Sequence, residues 1–209
     1  MSKQTDLTVY STASPRAAFV VGHGAGAGQK SAWMVRVARG LASRGIHTAT
    51  FDFPYMAAKR SAPDRAPVLE ASWRDAIAVA REKLGGLPLF IGGKSMGGRM
   101  ASHVAAQKTE TLAGVIFFGY PLHPPGNPQK RRDAHLPDIA EPMLFVQGSR
   151  DTFGTAEEIR ALLPSLKQAT LYEVAGGDHS LKASSNAAKQ DEVMERMLDH
   201  TVEWIDKHL

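Results

Sequence analysis

The chain contains no cysteine. Disulfides, thiolate metal sites and a cysteine nucleophile are therefore excluded. No apolar run approaches the roughly 18 residues that a membrane-spanning helix requires. Residues 1–10 also lack the apolar stretch of a signal peptide, so a cytoplasmic setting without a membrane partner is expected. Neither sign of charge dominates: 25 basic and 21 acidic residues leave a net charge of +4. The charges are interspersed, apart from Lys130-Arg131-Arg132 in a Pro/Gly-rich segment. That cluster reads as a solvated loop rather than a nucleic-acid-binding face, with contact to an anionic substrate as the lesser alternative. No internal repeat, low-complexity tract or linker divides the sequence. Its 209 residues suit one domain over 1–209 with a substantial core. No grouping of His, Asp and Glu has metal-ligand spacing, so no metal is expected.

What is present is alternation. Short apolar runs at residues 17–21, 47–51, 87–91, 114–118, 143–147 and 169–174 read as strands. Amphipathic stretches at 31–43, 69–84, 96–107, 156–163 and 189–208 read as helices, with Trp33, Val37 and Leu41 sharing one face of the first. Segments 55–67 and 121–142 read as irregular. Strands alternating with helices imply the α/β class: a mostly parallel sheet with helices on both faces. Right-handed crossovers then gather the strand C-termini along one edge, where ligands bind. Loop 22–28, Ser95, Asp151 and His179 all follow strands and converge on that edge.

Residues Gly93-Lys94-Ser95-Met96-Gly97 form a G-x-S-x-G pattern between an apolar strand and a helix. That context is what a nucleophile elbow requires, because the serine must sit on a tight strand-to-helix turn with its hydroxyl projecting from the sheet edge. Gly93 and Gly97 remove Cβ atoms where the backbone folds close to itself. The Met96 N–H is placed to face a developing oxyanion. The plainer reading is a glycine-rich turn with an N-capping serine.

A serine hydroxyl needs a base, and the base needs a third group to orient it. In the elbow-bearing fold the chain order is Ser, then Asp or Glu, then His. Asp151 lies in the loop just after the strand at 143–147; Asp133 and Asp138 do not directly follow a strand. Three histidines lie beyond Asp151, and two of them, His200 and His208, fall in the terminal helix. His179, in the loop after strand 169–174, is the base candidate. Asp178 reads as a loop residue.

Loop 22–28, Gly22-His23-Gly24-Ala25-Gly26-Ala27-Gly28, is expected to supply a second oxyanion donor from the Ala25 or Gly24 N–H. His23 precedes the serine and is expected to brace the loop. The same residues support a rival reading, because Gly22-x-Gly24-x-x-Ala27 with Asp52 after the next strand fits a relaxed dinucleotide-binding pattern. A phosphate-binding P-loop at Gly93-Lys94-Ser95 fails, because Pro88 stands where its first glycine belongs.

Taken together, Gly22-His23-Gly24-Ala25-Gly26, Gly92-Gly93-Lys94-Ser95-Met96-Gly97-Gly98-Arg99, Gly119-Tyr120-Pro121-Leu122-His123-Pro124-Pro125-Gly126, Gln147-Gly148-Ser149-Arg150-Asp151-Thr152-Phe153-Gly154 and Gly177-Asp178-His179-Ser180 resemble a compact bacterial alpha/beta-hydrolase family. That family is related to dienelactone hydrolases. It is also similar to the hydrolase-like domains of a testis-expressed protein and of a subunit of the nonspecific-lethal histone acetyltransferase complex. The resemblance runs from about Ala17 to the C-terminus. It implies a serine hydrolase with Ser95, Asp151 and His179 as triad and no cofactor. Dienelactone hydrolases usually carry cysteine at the position of Ser95, so ordinary ester or thioester cleavage is expected here. The short connection between the strands at 114–118 and 143–147 implies a minimal lid and an open site for small-molecule substrates. Tyr120 and His123 leave a strand at that edge and are expected to contact substrate, as are Tyr55 and Phe153. Trp33, Met56 and Met96 are further candidates for apolar contact. The non-enzymatic alternative is a hydrolase-fold scaffold that binds protein partners.

Overall fold

The computed structural model describes residues 5–209. Seven strands form one sheet: β1 Leu7–Tyr10, β2 Ala17–Gly22, β3 Ile46–Phe51, β4 Leu89–Lys94, β5 Gly114–Phe118, β6 Met143–Gly148 and β7 Ala169–Val174. Their spatial order is β1-β3-β2-β4-β5-β6-β7, with β1 antiparallel to β3 and every other pair parallel. Five helices lie between strands, α1 Ala32–Ala42, α2 Pro54–Ala57, α3 Ala66–Leu84, α4 Met96–Ala106 and α5 Ala156–Leu162, and α6 Ala187–Asp206 follows β7. This is the mostly parallel α/β sheet that the alternation of strands and helices implies, in the alpha/beta-hydrolase arrangement that the resemblance implies.

The pleat explains the layering. Successive side chains of β2 point to opposite faces, so Ala18 and Val20 join one core cluster while Phe19 and Val21 join the other. The first cluster packs the sheet against α3 and α4 through Trp73, Met100 and Val104; the second packs it against α1 and α6 through Val37, Leu41 and Leu198. Both faces are covered, which is why the central strands read as continuous apolar runs rather than alternating ones. Each large apolar side chain buried here contributes roughly 1.5–3 kcal/mol.

Strand β1 is an addition to the six expected. Its four residues have too little pattern to declare themselves, and pairing with β3, from Leu7 opposite Phe51 to Tyr10 opposite Thr48, makes the strand. The 55–67 segment, expected to be irregular throughout, holds the short α2, and α3 begins at Ala66 rather than residue 69. Pro54 and Pro67 both lie in the first turns of these helices, where a missing N–H costs no hydrogen bond. Between β5 and β6 the chain forms one three-residue 3₁₀ turn, Leu136–Asp138.

Candidate active site

Ser95 lies between the last residue of β4 and the first of α4, with φ 48° and ψ −113°. A non-glycine residue held there costs roughly 1–3 kcal/mol and persists only where its surroundings enforce it. They do: the Ser95 N–H donates to the Phe118 carbonyl at 3.0 Å, and the Arg99 N–H donates to the Ser95 carbonyl at 3.0 Å. The two flanking glycines are obligatory on packing grounds. A Cβ on Gly93 would lie 2.1 Å from the Gly22 carbonyl oxygen, and one on Gly97 would lie 2.3 Å from the same atom. The elbow is thus pressed onto the end of β2.

The other two groups come from the ends of β6 and β7. His179 Nε2 lies 2.8 Å from Ser95 Oγ, and His179 Nδ1 lies 2.8 Å from Asp151 Oδ2 and 3.0 Å from Oδ1. Asp151 is buried and fully engaged. Oδ1 accepts from the Phe153 N–H at 2.8 Å and Oδ2 accepts from Gln147 Nε2 at 3.0 Å. An acceptor facing Nδ1 fixes the tautomer that leaves Nε2 free to take a proton from the hydroxyl. The Phe153 ring stacks on the His179 imidazole at 4.1 Å between centroids. Asp178 stays in its own turn, accepting from the Ser180 and Lys182 N–H groups at 2.8 and 3.0 Å.

Residues 15–206 match the family described as the alpha/beta hydrolase domain. The chain belongs to the alpha/beta hydrolase family. Solved hydrolase structures share the fold at low identity. An alpha/beta serine hydrolase homologue from Coxiella burnetii matches with TM-score 0.76 and 15% identity, over 94% of this chain and 91% of its own. A serine hydrolase without a lid from Xanthomonas campestris matches with TM-score 0.73 and 19% identity, over 95% and 88%. A monoacylglycerol lipase from Paleococcus ferrophilus matches with TM-score 0.72 and 18% identity, over 99% and 100%.

In this alpha/beta hydrolase a cavity of about 590 Å³ opens over Ser95 and His179. Gly24, Ala25 and Met96 line it. Met96 is the first residue of α4, so its N–H has no intrahelical acceptor. The loop carrying Gly24 and Ala25 is braced from beneath by His23, which is buried. Its Nε2 accepts from the Phe53 N–H at 3.1 Å and its Nδ1 meets the Gly24 carbonyl at 2.8 Å, an arrangement that requires the proton on Nδ1. Burial holds the His23 pKa below the ordinary histidine range, which keeps the ring neutral.

Of the expected substrate contacts, Phe153 lines the cavity, as do Trp33 and Met96. Tyr120, His123, Tyr55 and Met56 do not, and three of them have clear packing reasons. Tyr120 turns into the core, where its hydroxyl donates to the Arg132 carbonyl at 2.7 Å. His123 is buried with Nε2 3.0 Å from Glu158 and Nδ1 2.9 Å from the Pro124 carbonyl. Tyr55 is fully buried, edge-on to His23.

The dinucleotide reading is also at odds with the geometry. A pyrophosphate site needs the glycine loop to open directly into a helix, but α1 begins at Ala32, beyond the motif. Asp52 is committed to the same loop, accepting from the Gln29 N–H at 2.7 Å.

Two residues at the site went unassigned in the sequence. Gln147 is wholly buried at the end of β6 and its amide ties Asp151 to the Tyr120 N–H, at 2.7 Å, and to the Gly154 carbonyl, at 2.6 Å. A lone polar residue closing the apolar run Met143-Leu144-Phe145-Val146 is the signal that could have found it. Lys94 lies on the cavity wall, with its ammonium 5.7 Å from the centre of the Trp33 ring and hydrogen-bonded to the His179 carbonyl. Burial lowers its pKa to about 8, against the opposing pull of Asp151 and Asp178.

Proposed function

We propose that the protein is a serine hydrolase that cleaves a small ester or thioester through an acyl-enzyme. The observation that carries the reading is the unbroken contact chain from Ser95 Oγ to His179 Nε2 and from Nδ1 to Asp151, with both links at 2.8 Å. The hydrolases and the lipase among its structural neighbours support the same class of chemistry. The finer kinship, with dienelactone hydrolases and the two eukaryotic hydrolase-like domains, rests on the motifs around Ser95, Tyr120, Asp151 and His179.

Ser95 Oγ attacks the substrate carbonyl while His179 Nε2 takes its proton. Asp151 holds the imidazole and stabilises its cation. The Met96 N–H and the Ala25 or Gly24 N–H receive the oxyanion, each such donor being worth roughly 3 kcal/mol in the transition state. His179 then protonates the departing alcohol or thiol, and afterwards deprotonates the water that releases the acid. Acyl transfer to water needs no cofactor.

The test is hydrolysis of short-chain p-nitrophenyl esters and an acyl thioester, together with fluorophosphonate labelling, by wild type and Ser95→Ala. Turnover should fall by at least about a thousandfold in the variant, and labelling should vanish. A folded wild-type protein that neither turns over nor labels would sink the reading and leave the hydrolase-fold scaffold in its place.

A further inference from the structure

The cavity over Ser95 carries an excess of positive charge that the acyl-transfer chemistry does not use. Arg99 and Arg132 both line it. Arg99 stands one helical turn beyond Ser95, about 6 Å along the α4 axis, and side chains on a helix lean back toward its N-terminus. Arg99 therefore reaches the cavity from the helix that Ser95 opens. Arg132 arrives from the segment after β5 and its backbone is pinned twice. The Arg132 N–H donates to the Leu122 carbonyl at 2.9 Å, and the Arg132 carbonyl accepts from the Tyr120 hydroxyl at 2.7 Å. The neighbours in its basic cluster are disposed differently, since Lys130 is exposed and Arg131 pairs with Asp133 at 2.7 Å.

Among the described residues neither cavity arginine has a counter-ion: no carboxylate lies within 4.0 Å of either guanidinium, and Arg99 Nε is buried without any hydrogen-bond partner. Among the described residues one carboxylate, Asp64, lines the cavity, and its Oδ1 is paired with Arg60 at 2.7 Å while its Oδ2 has no partner. Burial, then the Arg132 charge, push the Arg99 guanidinium below its usual range. A half-buried, unpaired pair of planar forks in a largely apolar cavity is the arrangement that captures a carboxylate bidentately.

We propose that Arg99 and Arg132 form an anion-binding subsite, and that the substrates are esters or thioesters carrying a free carboxylate a short linker away from the scissile carbonyl. The substrate class rests on the serine-hydrolase reading; the anion site itself does not.

Two matched pairs test it and separate the sides of the ester. They are 3-acetoxybenzoate against methyl 3-acetoxybenzoate, with the charge on the alcohol side, and monophenyl adipate against phenyl hexanoate, with the charge on the acyl side. In at least one pair kcat/KM should favour the anion tenfold or more. That ratio should collapse toward one in Arg99→Met and Arg132→Met, and Arg132→Lys should restore part of it. Wild type with a ratio of one or less in both pairs would overturn the subsite, as would a ratio indifferent to both arginines. If Arg99→Met does not fold, the Arg132 variants alone decide. A second arm is independent of turnover. Calorimetry on Ser95→Ala protein should show the anion of at least one pair binding at least tenfold tighter than its neutral partner, and equal affinities in both pairs would overturn the site. Absent fluorophosphonate labelling would instead remove the hydrolase reading while leaving the binding result to stand.

Discussion

The Lys94 ammonium donates a hydrogen bond to the His179 carbonyl, joining the residue before the elbow serine to the loop that carries the imidazole. The two positions are 85 residues apart in the chain. The contact fixes the backbone of the histidine loop rather than its ring, so its effect on chemistry is one of placement. Misplacement by about 1 Å can cost 10²-fold in rate. Lys94→Met is expected to lower kcat by roughly ten- to a hundredfold with Lys94→Arg less affected, as read by p-nitrophenyl acetate kinetics.

The same lysine makes stability depend on pH. Its folded pKa, about 8, lies below the ordinary lysine value. Between those two values the unfolded chain binds more protons than the folded one, so stability rises with pH across that window. Below about 8 the folded state carries the full cost of holding the charge in the cavity. Urea unfolding should show the stability of wild type, relative to Lys94→Met, increasing from pH 8 to pH 10. A difference that stays flat or decreases would contradict the burial of that charge.

His135 sets the acid side. Burial, then the nearby His103 and Arg99 charges, lower its pKa to about 4. As pH falls below the ordinary histidine range the unfolded chain takes up a proton that the folded chain refuses. Stability is therefore lost progressively between pH 6.5 and 4. His135→Asn should flatten that acid limb in urea titrations at pH 7, 5.5 and 4.5, and an unchanged limb would assign the loss elsewhere.

Gln147→Leu should be costly without touching the reacting atoms. The substitution leaves the buried Tyr120 N–H without its acceptor and the buried Gly154 carbonyl without its donor, and Asp151 Oδ2 keeps only His179 Nδ1. Orphaning two buried groups costs roughly 2–4 kcal/mol. A fall in thermal midpoint accompanied by a drop in kcat larger than that in KM is the expected signature.

Glycine substitutions provide an internal control for the elbow. A Cβ on Gly97 would strike the Gly22 carbonyl oxygen at 2.3 Å and the His23 oxygen at 2.7 Å, whereas one on Gly86 would meet nothing within 4 Å. Gly97→Ala should destabilise by about 1–3 kcal/mol or more and abolish fluorophosphonate labelling, and Gly86→Ala should change stability by less than about 0.5 kcal/mol.

Much of this geometry is legible in the sequence, because it follows from where residues stand relative to strands. Ser95 and Asp151 follow buried strands and His179 follows the half-exposed edge strand β7, and parallel topology carries all three to one edge. What escapes is direction within loops. Gly119, at φ 68°, turns the chain as it leaves β5, and the Gln147 amide then captures both the N–H and the carbonyl of Tyr120. The ring is thereby sent into the core instead of the cavity. The basic cluster at 130–132 escapes for a similar reason. No periodicity distinguishes three consecutive charged residues, yet one faces solvent, one pairs with Asp133 and one reaches the cavity. Strand β1 escapes because its partner, β3, lies some forty residues away in the chain and supplies the pairing that its four residues cannot signal.

The left-handed backbone at Ser95 has a consequence for anyone engineering this protein. Glycine adopts φ near +48° without the penalty that a side chain incurs. Ser95→Gly should therefore give a protein that melts at a higher temperature and hydrolyses nothing. Directed evolution scored on heat resistance alone would drift toward that variant, discarding the hydroxyl on which the proposed reaction depends.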